Sequence, residues 1–383
     1  GLKETMDNLK EIGIRMIILR RHPVEAALSL IRNAAMIVTD KGYLRHQLDW
    51  RKKVAQKATC RMVSVESDVI VPVETVSDKH EYAARTIRPK IHKQLKNFLV
   101  DFKQPIPARD CPKIDTVEGL EFKDKDHILS KMDIDRSVLP SALLKGGTSE
   151  AKRIFGNFIE NGLSRYGSNS NQPQAEDISH MSPYLHFGQI SPLFLALEVK
   201  KKGKNVPEDP FLEQLVVRRE LAINHVFYDN RYEHYDCLPE WAKATLNNHR
   251  RDKREHIYDS KTLESAKTHD PYWNAAMKEM KYTGYMHNYM RMYWGKKILQ
   301  WSRIPEEAFG TILYLNNKYF IDGRDPNAYS NVAWVFGLHD RPFKERSVFG
   351  KVRYMSASGL ERKCDIKAYV EKVESLIQIS EKH

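Results

Sequence analysis

The chain has 383 residues, of which 41% are hydrophobic and 29% charged, and its formal net charge is +12. This length allows two domains, while no apolar run approaches the roughly 20 residues that span a bilayer and no secretory signal is visible. A basic balance favours a polyanionic partner, most often nucleic acid, over a generally basic soluble protein. The four cysteines lie far apart. Their spacing argues against structural zinc and disulfides and favours a reducing intracellular compartment, nuclear or cytoplasmic.

The first third of the chain alternates between strand and helix signals. Short β-branched runs predict strands at 15–19, 34–40 and 60–71, and helices are predicted between them at 23–33 and 44–58. This alternation predicts a Rossmann-like parallel α/β lobe over 1–103. The chain opens on a helical stretch with no strand before it. We therefore expect the lobe to lack its first β–α–β portion, the alternative being a small complete lobe.

Two further regions complete the predicted organisation. Residues 104–148 are irregular and punctuated by proline and glycine, which indicates an interdomain linker. Residues 149–383 predict an all-α domain, because apolar side chains recur at helical spacing. The predicted helices of this domain include 149–166, 210–228, 252–268, 285–301, 305–319 and 365–379.

The helix predicted at 285–301 combines aromatic and polar side chains. Trp294 and Trp301 lie seven residues apart, roughly 10.5 Å along a helix axis, and His287, Arg291 and Ile298 fall near the same face. A buried indole needs a hydrogen-bond partner and a buried arginine needs an anion. A core seam is the ordinary interpretation of such a stripe. The polar residues favour a cofactor or substrate wall, although periodicity alone does not decide between the two.

Two polar segments are candidate binding loops. Serines at 179, 182 and 191 precede helical runs and could form an anion cradle at helix starts, although simple helix caps are the commoner case. The turn around Asp322, Arg324 and Asp325 could grip a heterocycle or be a surface turn with a local salt bridge. None of the 15 histidines is set out as a metal pair on a helix, so the sequence predicts no metal site.

Seven ordered motifs together resemble class II cyclobutane pyrimidine dimer photolyases of the photolyase/cryptochrome family. The resemblance runs from about 15 to 370 and is densest from 180 to 365. Its motifs are SPYLHFGQIS, VVRRELAINHVFY, DKREHIY, KTHDPYWNAA, YMHNYMRMYWGKKILQW, YLNNKYFIDGRDPNAY and FGKVRYMSASGLERK.

The resemblance implies an α/β antenna lobe followed by an all-helical domain that holds FAD. It implies light-driven repair of cyclobutane pyrimidine dimers in DNA. Reduced FAD gives an electron to a flipped-out dimer, the ring splits and the electron returns, with no net redox change. Damaged DNA is thus the implied partner, an antenna chromophore of unknown identity is allowed for, and a monomer is the default expectation.

The resemblance also implies roles for individual residues. On the cofactor side it implies phosphate contacts by Tyr166, Ile178, Ser179, His180, Met181 and Ser182, and flavin contacts by Arg291, Asn316, Asp322, Arg324 and Asp325. Asn316 corresponds to the asparagine near flavin N5, where it would favour the reduced forms. Trp294, Trp273 and Trp301 would photoreduce oxidised flavin. On the substrate side it implies a dimer pocket lined by Asn288, Met292 and Trp334, with Arg341 and Arg353 near the DNA backbone or the gap left by the lesion.

Some positions depart from the family pattern. Gln214 stands where many members carry a carboxylate facing dimer and flavin, and the adjacent Glu213 would point elsewhere on a helix. Phe343 replaces a tryptophan of some members, and Ser170 an arginine. Two alternatives therefore stay open: a cryptochrome-like flavin photoreceptor without repair activity, and a repair-impaired or flavin-free DNA-binding relative. The tryptophan trio and Asn316 disfavour the flavin-free relative.

Overall fold

The computed structural model describes residues 1–31, 34–101, 119–120, 125–141, 143–206 and 208–381. The first third contains α1 (Leu2–Glu11), α2 (Pro23–Leu30), β1 (Met36–Asp40), α3 (Arg45–Lys57), β2 (Arg61–Val65), α4 (Val73–Val76) and α5 (Ala84–Phe98). The two strands pair in parallel, in a register that runs from Met36 opposite Arg61 to Asp40 opposite Val65. Helix α3 forms the crossover between them, as parallel strands require. The predicted combination of an α/β lobe with a helical domain is confirmed.

Two strand predictions need correction. The run at 15–19 is not a strand: residues 14–20 have no regular secondary structure, and the apolar side chains of 16–19 are only half-buried. A β-branched run becomes a strand only where a neighbouring ladder and a buried face are available. The run at 60–71 is a strand only as far as Val65. Beyond it, Glu66 accepts hydrogen bonds from the hydroxyl of Tyr43 and the backbone N–H of Val73, both at 2.9 Å, and the chain turns into α4.

The rest of the described chain is helical. It contains α6 (Lys125–Ser130), α7 (Thr148–Asn161), α8 (Leu163–Asn169), α9 (Ser182–His186), α10 (Pro192–Lys201), α11 (Pro210–Leu212), a π-helix (Glu213–Arg218), α12 (Arg219–Tyr228), a 3₁₀ turn (Tyr235–Cys237), α13 (Glu240–Asn248), α14 (Ser260–Glu264), α15 (Pro271–Thr283), α16 (Asn288–Trp301), α17 (Pro305–Tyr319), α18 (Pro326–Val335), α19 (Ala357–Lys363) and α20 (Ile366–Ser380). No helix of these described ranges is long and apolar enough to cross a membrane.

The helix predicted at 252–268 is wrong over most of its length. Only the five residues of α14 are helical, after Asp259 caps the helix by accepting from the backbone N–H of Thr262 at 2.7 Å. The preceding residues are mostly charged and could not bury a helical face, which short helices need for stability. They instead run along α16, where the N–H of Tyr258 donates to the carbonyl oxygen of Trp301 at 3.3 Å.

Three apolar cores hold the fold together. One includes Ile87 and Ile91 of α5 together with Phe155 of α7 and Val216 of the π-helix. The largest surrounds α15, α16, α17 and α20. The third joins the N-terminal lobe to α12 and α18 through Tyr43, Val73, Ile223 and Tyr329, among others. Helix α5, which the sequence assigned to the lobe, thus packs on the helical part. Much of the predicted linker, 104–148, lies outside the described residues, so the domain boundaries stay predictions.

Helix α16 lies at the centre of the largest core. Its buried residues include Met290, Tyr293, Trp294, Lys297 and Trp301, so it is enclosed on all sides rather than along the one face that periodicity indicated. The close approach of α18 requires Gly295, because a Cβ there would lie 2.7 Å from a methyl carbon of Val335. The central position of α16 allows one helix to contribute to both a cofactor site and a substrate site.

Candidate functional site

The three predicted electron-transfer tryptophans form one buried series. The rings of Trp273 and Trp301 have centroids 5.5 Å apart, and the indole N–H of Trp273 donates to the carbonyl oxygen of Trp294 at 3.0 Å. Their side chains are at most 2% exposed. Trp301 is covered edge-on by Tyr258 and His269, at centroid distances of 5.4 and 5.3 Å.

The inner end of the series lies beside an arginine–carboxylate pair. Trp294 contacts Phe320 at a centroid distance of 6.3 Å. The guanidinium of Arg291 lies 3.9 Å from the centroid of the same Phe320 ring. Arg291 donates to Asp322 Oδ1 at 3.0 Å and to the carbonyl oxygen of Met286 at 2.9 Å. Asp322 is therefore the anion that the sequence led us to expect for Arg291. The indole Nε1 of Trp294 is buried and has no protein partner in the described part of the chain.

The loop after α17 folds back onto the end of that helix. Buried Asn316 donates from Nδ2 to Asn317 Oδ1 at 3.0 Å, and the same oxygen accepts from the backbone N–H of Arg324 at 3.0 Å. Gly323 is needed at this approach, because a Cβ would lie 2.8 Å from the carbonyl oxygen of Asn316. Arg324 is exposed and left-handed, with φ of 57°. The loop thus brings Asn316 and Asp322 to one side of α16.

Asp325 closes this loop as a helix cap. It accepts from the backbone N–H of Asn327 at 2.8 Å and contacts His186 Nδ1 at 3.1 Å. Burial opposes ionisation, but the hydrogen bond from His186 and the charge of Arg219 outweigh it and lower the pKa of Asp325. The carboxylate is consequently tied to α9 and α18, and the predicted contact with a flavin stays a prediction.

The predicted phosphate-binding segment borders the same region. Met181 is buried, Tyr166, Ile178, Ser179 and His180 are half-buried, and Ser182 is exposed at the first turn of α9. His180 has a left-handed φ of 55°, and its ring centroid lies 5.1 Å from that of Tyr285. The guanidinium carbon of Arg291 lies 5.5 Å from the same Tyr285 centroid. Ser191 instead caps α10 by accepting from Phe194 N at 3.4 Å, which is the simpler of the two roles considered for these serines.

Buried polar atoms beside this segment have no protein partner among the described residues. His287 caps α16 by accepting from Tyr289 N at 3.2 Å, but its Nε2 is unpaired. The Oε1 of Gln174 is also unpaired. Burial, with the charge of Lys372 nearby, lowers the pKa of His287 to about 3, so the imidazole is neutral. Unsatisfied buried groups of this kind cost about 1–3 kcal/mol each and suit a ligand that carries donors and acceptors of its own.

A separate cavity of about 280 Å³ opens at the other face of α16. Met292 lines it together with Tyr289, Phe343, Lys344, Arg346, Val352, Arg353, Tyr354, Met355 and Lys363. Four of these residues are basic, and the walls between them are aromatic and apolar. An apolar pocket with a cationic rim is suited to an unstacked base with its phosphates. Of the predicted substrate residues, Asn288 is exposed at the start of α16 and is not part of this lining.

The guanidinium of Arg353 links this cavity to two aromatic rings. It donates to both carboxylate oxygens of Asp340, at 2.9 and 3.1 Å, and lies 4.4 Å from the ring centroid of Phe343 and 5.6 Å from that of Trp334. Arg341 is exposed, 5.6 Å from the same Phe343 ring. The structure thus places Arg341 and Arg353 beside Phe343, where some family members were expected to have a tryptophan, and it places Trp334 beside Arg353.

This chain is similar in sequence to known photolyases. A family model described as DNA photolyase matches residues 1–112. A deoxyribodipyrimidine photo-lyase of Methanothermobacter thermautotrophicus is 48% identical over 98% of this chain and 83% of its own length. Another, of Potorous tridactylus, is 39% identical over 97% of this chain and 71% of its own length. The chain belongs to the DNA photolyase family.

The fold agrees with solved structures of photolyases. An archaeal photolyase from Sulfolobus tokodaii, described with two FAD molecules, superimposes with a TM-score of 0.69. The two chains are 16% identical, and the alignment covers 99% of this chain and 80% of the other. At that identity the likeness establishes the photolyase fold alone.

Gln214 occupies the predicted catalytic position, and its departure from the family pattern stays a prediction. It lies exposed in the π-helix, a rare element that often marks functional sites. The adjacent Glu213 is engaged elsewhere, because it accepts from Arg88 at 2.7 and 3.1 Å and from Arg218 at 3.0 Å. The Glu213 carboxylate is therefore occupied by these two arginines.

Lys296 is a residue of this site that sequence reasoning missed. It is fully buried in α16, donates to the carbonyl oxygen of Val335 and lies 5.1 Å from the ring centroid of Trp334. Burial lowers its pKa to about 7. The sequence gave no sign of this burial, because a lysine in a helix usually keeps its charged head in water. Lys296 and Arg353 both lie near the Trp334 ring, at 5.1 and 5.6 Å from its centroid.

A second missed feature is the loop that carries Arg346. His249 contacts Asp252 at 2.6 Å and Glu345 at 3.0 Å, and Asp252 accepts from the backbone N–H of Val348 at 2.8 Å. Val348 is β-branched yet left-handed, with φ of 67°, a strained conformation that commonly occurs near binding sites. These contacts hold the cationic rim of the cavity in place.

Proposed function

We propose that this chain is a deoxyribodipyrimidine photolyase of the class II type, which uses light to repair cyclobutane pyrimidine dimers in DNA. The observation that carries the proposal is the buried series Trp301, Trp273 and Trp294, which ends beside the Arg291–Asp322 ion pair. A core could have been built from aliphatic residues alone. Three contiguous indoles beside a charged pair and unpaired buried polar atoms are instead what a photoreducible cofactor site needs.

FAD is the cofactor we propose for this site, and the residues present fit it. The Sulfolobus tokodaii photolyase, which is described with two FAD molecules, supports FAD. The buried unpaired atoms at His287, Gln174 and Trp294 also support it, because a bound ligand could supply their missing donors and acceptors. Tyr166 and residues 178–182 would hold its phosphates, while Arg291, Asn316, Asp322, Arg324 and Asp325 would hold its flavin and ribityl parts. When bound and reduced, FAD supplies a photoexcitable one-electron donor.

The protein's own contribution is to orient, insulate and supply electrons. Asp322 fixes the Arg291 guanidinium against Phe320, so a positive charge is held in place with its counter-ion. The tryptophans, each at most 2% exposed, offer an electron a path shielded from water. This path leads from Trp301 at the end of α16, through Trp273 of α15, to Trp294 of α16. Because this path serves reduction of the cofactor, we propose that it is needed for activation rather than for each repair event.

Damaged DNA is the proposed substrate, recognised with the dimer flipped out of the duplex. The cavity beside Met292 has aromatic walls for bases, and Lys344, Arg346, Arg353 and Lys363 offer charge to phosphates. The net charge of +12 agrees with a polyanionic partner. Trp334, between Lys296 and Arg353, and Asn288 at the start of α16 are proposed to contact the dimer, and Arg341 the backbone.

A cryptochrome-like photoreceptor is the second candidate function, and Gln214 is the observation that favours it. A glutamine can donate and accept hydrogen bonds, but it supplies neither a negative charge nor an acidic proton. The electron path and the cofactor residues suit both candidates. Only the chemistry at the dimer separates them.

The deciding experiment is repair of an oligonucleotide that contains a thymine cyclobutane dimer. We expect the purified, chemically reduced protein to restore the dimer to thymines under blue light and not in the dark, with a pyrimidine–pyrimidone photoproduct as the control lesion. A protein that binds flavin but does not repair the dimer would support the photoreceptor function instead. A preparation that binds no flavin would point to the flavin-free relative.

The organisation of the chain is proposed on the same basis. We propose an antenna-type lobe over 1–103, a linker over 104–148 and a FAD- and DNA-binding domain over 149–383, in a monomeric intracellular protein. Limited proteolysis would cut first within 104–148 if this division is right. Analytical ultracentrifugation of the flavin-loaded protein measures the oligomeric state.

A further inference from the structure

Three histidines from distant parts of the chain converge outside the proposed cofactor and dimer sites. His80 precedes α5, His225 belongs to α12 and His339 follows α18. Each offers a ring nitrogen, and these three atoms lie within 4.8 Å of one another. The ring centroids are 5.0 Å apart for His80 and His225, 5.9 Å for His80 and His339, and 5.8 Å for His225 and His339. No residue here was singled out by the sequence.

The hydrogen bonds of these rings leave nitrogen atoms unsatisfied. His339 Nδ1–H donates to the carbonyl oxygen of Tyr82 at 2.9 Å, so its buried Nε2 keeps a lone pair with no protein partner among the described residues. His225 Nδ1 and His80 Nε2 are 3.2 Å apart, while His225 Nε2 is buried and equally unpaired. If the three imidazoles are neutral and hold no ion, only the contact between His225 Nδ1 and His80 Nε2 can be a hydrogen bond. The Nε2 atoms of His339 and His225 then stay unpaired.

The cluster has the features of a transition-metal site. Two ligands at about 2.0 Å from a tetrahedral ion are separated by about 3.3 Å, close to the distance between the His225 and His80 nitrogens. A metal-bound histidine usually donates its other ring N–H to a carbonyl, as His339 does to Tyr82. Burial lowers the pKa of His225 to about 3, that of His339 to about 4 and that of His80, so all three are in the neutral form that binds metals.

The acidic neighbours are already engaged. Asp229 accepts from the side chain of Arg231 at 3.0 and 3.1 Å, and Glu81 accepts from Ser77 at 2.6 Å and pairs with Lys90. A cation would therefore be held by imidazole nitrogens, with water in a fourth position. Imidazole-rich sites of this kind favour Zn²⁺, and Cu²⁺ or Ni²⁺ where these are available, over Mg²⁺ or Ca²⁺.

We propose that His80, His225 and His339 form a binding site for a divalent transition metal, Zn²⁺ above all, which ties the N-terminal lobe to α12 and to the segment after α18. That segment continues directly into Asp340, Arg341 and the Arg353 contact. The ion would therefore fix the position of the proposed DNA-binding loop relative to the lobe. His339 is held left-handed with φ of 58°, an unfavourable backbone that the ion would help to maintain.

Metal binding to the flavin-loaded protein tests this directly. The protein is first stripped with a chelator, then given Zn²⁺ or Co²⁺, and dialysed to remove unbound metal. We expect one Zn²⁺ per chain by elemental analysis, and visible Co²⁺ bands typical of tetrahedral coordination in the difference spectrum. We expect added Zn²⁺ to raise the melting temperature, because it binds the folded state. Failure of the wild-type protein to retain Zn²⁺ or Co²⁺ would by itself overturn the proposal.

Variants separate this site from casual metal binding. His225→Phe and His80→Gln should each weaken Zn²⁺ binding by about 100-fold or more, because one ligand of three is lost. His46→Gln is the matched control, since that histidine is exposed and remote from the cluster in the sequence. Should His225→Phe fail to fold, as its circular dichroism would reveal, the half-buried His80 gives the decisive variant. Equal Zn²⁺ affinity in His80→Gln and the wild type would contradict the proposal.

Discussion

The indole N–H of Trp273 donates to the carbonyl oxygen of Trp294 at 3.0 Å, which fixes the middle of the aromatic series to its inner end. The outer member, Trp301, contacts the Trp273 ring at a centroid distance of 5.5 Å. The order of the three residues in space is thus 301, 273, 294, although 273 comes first in the sequence. Trp273 therefore lies between the other two members of the series.

Trp301→Phe should slow photoreduction of the oxidised protein and leave repair by pre-reduced protein unchanged. Phenylalanine preserves the packing but is far harder to oxidise than an indole, so only the electron path is broken. The measurement is flavin absorbance under blue light with an external reductant, followed by a repair assay on chemically reduced protein. Trp50→Phe, in α3, is the control. Loss of repair by pre-reduced Trp301→Phe would show that the residue does more than supply electrons.

Gln214→Glu should increase the repair yield of reduced protein. A carboxylate forms hydrogen bonds of about 1.5–3 kcal/mol against about 0.5–1.5 kcal/mol for a neutral acceptor. The gain of about 1 kcal/mol corresponds to roughly fivefold in rate if it is expressed in the rate-limiting step. Quantum yield on a dimer-containing oligonucleotide measures it. Gln300→Glu, at the end of α16, is a matched control for the added charge. An unchanged yield would show that glutamine serves this site as well as a carboxylate.

Sequence reasoning located the aromatic series and the charged pair, and the structure explains why. Trp294, Trp301 and Arg291 lie on one helix, so their spacing alone fixed their neighbourhood. The resemblance to a family supplied Trp273, Asn316 and Asp322, whose positions depend on how α15 and α17 pack. Such packing is not visible in the periodicity of any single segment.

Other features depended on contacts between distant parts of the chain. The strand predicted at 15–19 has suitable residues, but in the described part of the chain it forms no ladder beyond the hydrogen bond from the N–H of Leu120 to the carbonyl oxygen of Ile18 at 2.7 Å. The burial of Lys296 was not predicted, because it depends on the close packing of α18 against Gly295. His80 and His225 are 145 residues apart in the sequence, and His339 lies further along the chain. The packing of the lobe on α12 brings His80 and His225 together. A local sequence pattern contains no information about such long-range contacts.

The stability of the protein should depend on pH through His249. Hydrogen bonds to Glu345 and Asp252 raise its pKa. Protonated His249 therefore stabilises the fold fully below its unfolded pKa of about 6.5, and this contribution is lost as pH rises through the higher folded pKa. His225 and His339, whose pKa values are lowered to about 3 and about 4, titrate outside this window.

His249→Gln tests that dependence. We expect the melting temperature of the wild type to fall more between about pH 6 and about pH 8.5 than that of the variant, because only the wild type loses a charged bridge over this range. His46→Gln should behave like the wild type. The same pH profile in all three proteins would exclude His249 as the source.

Asp322→Asn should weaken flavin retention. The substitution keeps the shape of the side chain but removes the counter-ion of Arg291. The two side chains are largely buried, and Arg291 Nη1 lies 3.0 Å from Asp322 Oδ1. A loss of about 1.4 kcal/mol would weaken FAD binding about tenfold. Fluorescence of flavin released during dialysis measures it, with the exposed Asp49→Asn as control. Unchanged retention would mean that the pair only holds the Phe320 stack together.

Arg353→Gln should weaken binding to dimer-containing DNA and reduce its salt dependence. A residue that contacts a phosphate contributes about 0.9 to the slope of log K against log salt. Loss of that contact should lower affinity by about tenfold, since individual charged contacts are worth about 1–3 kcal/mol. Arg153→Gln changes the net charge equally from an exposed position on α7 and should leave both quantities unchanged. Titration of labelled duplexes at several salt concentrations gives affinity and slope together. If affinity falls while the slope stays constant, Arg353 fills the gap left by the flipped dimer rather than contacting the backbone. If neither changes, its bond to Asp340 serves only to shape the wall behind Trp334.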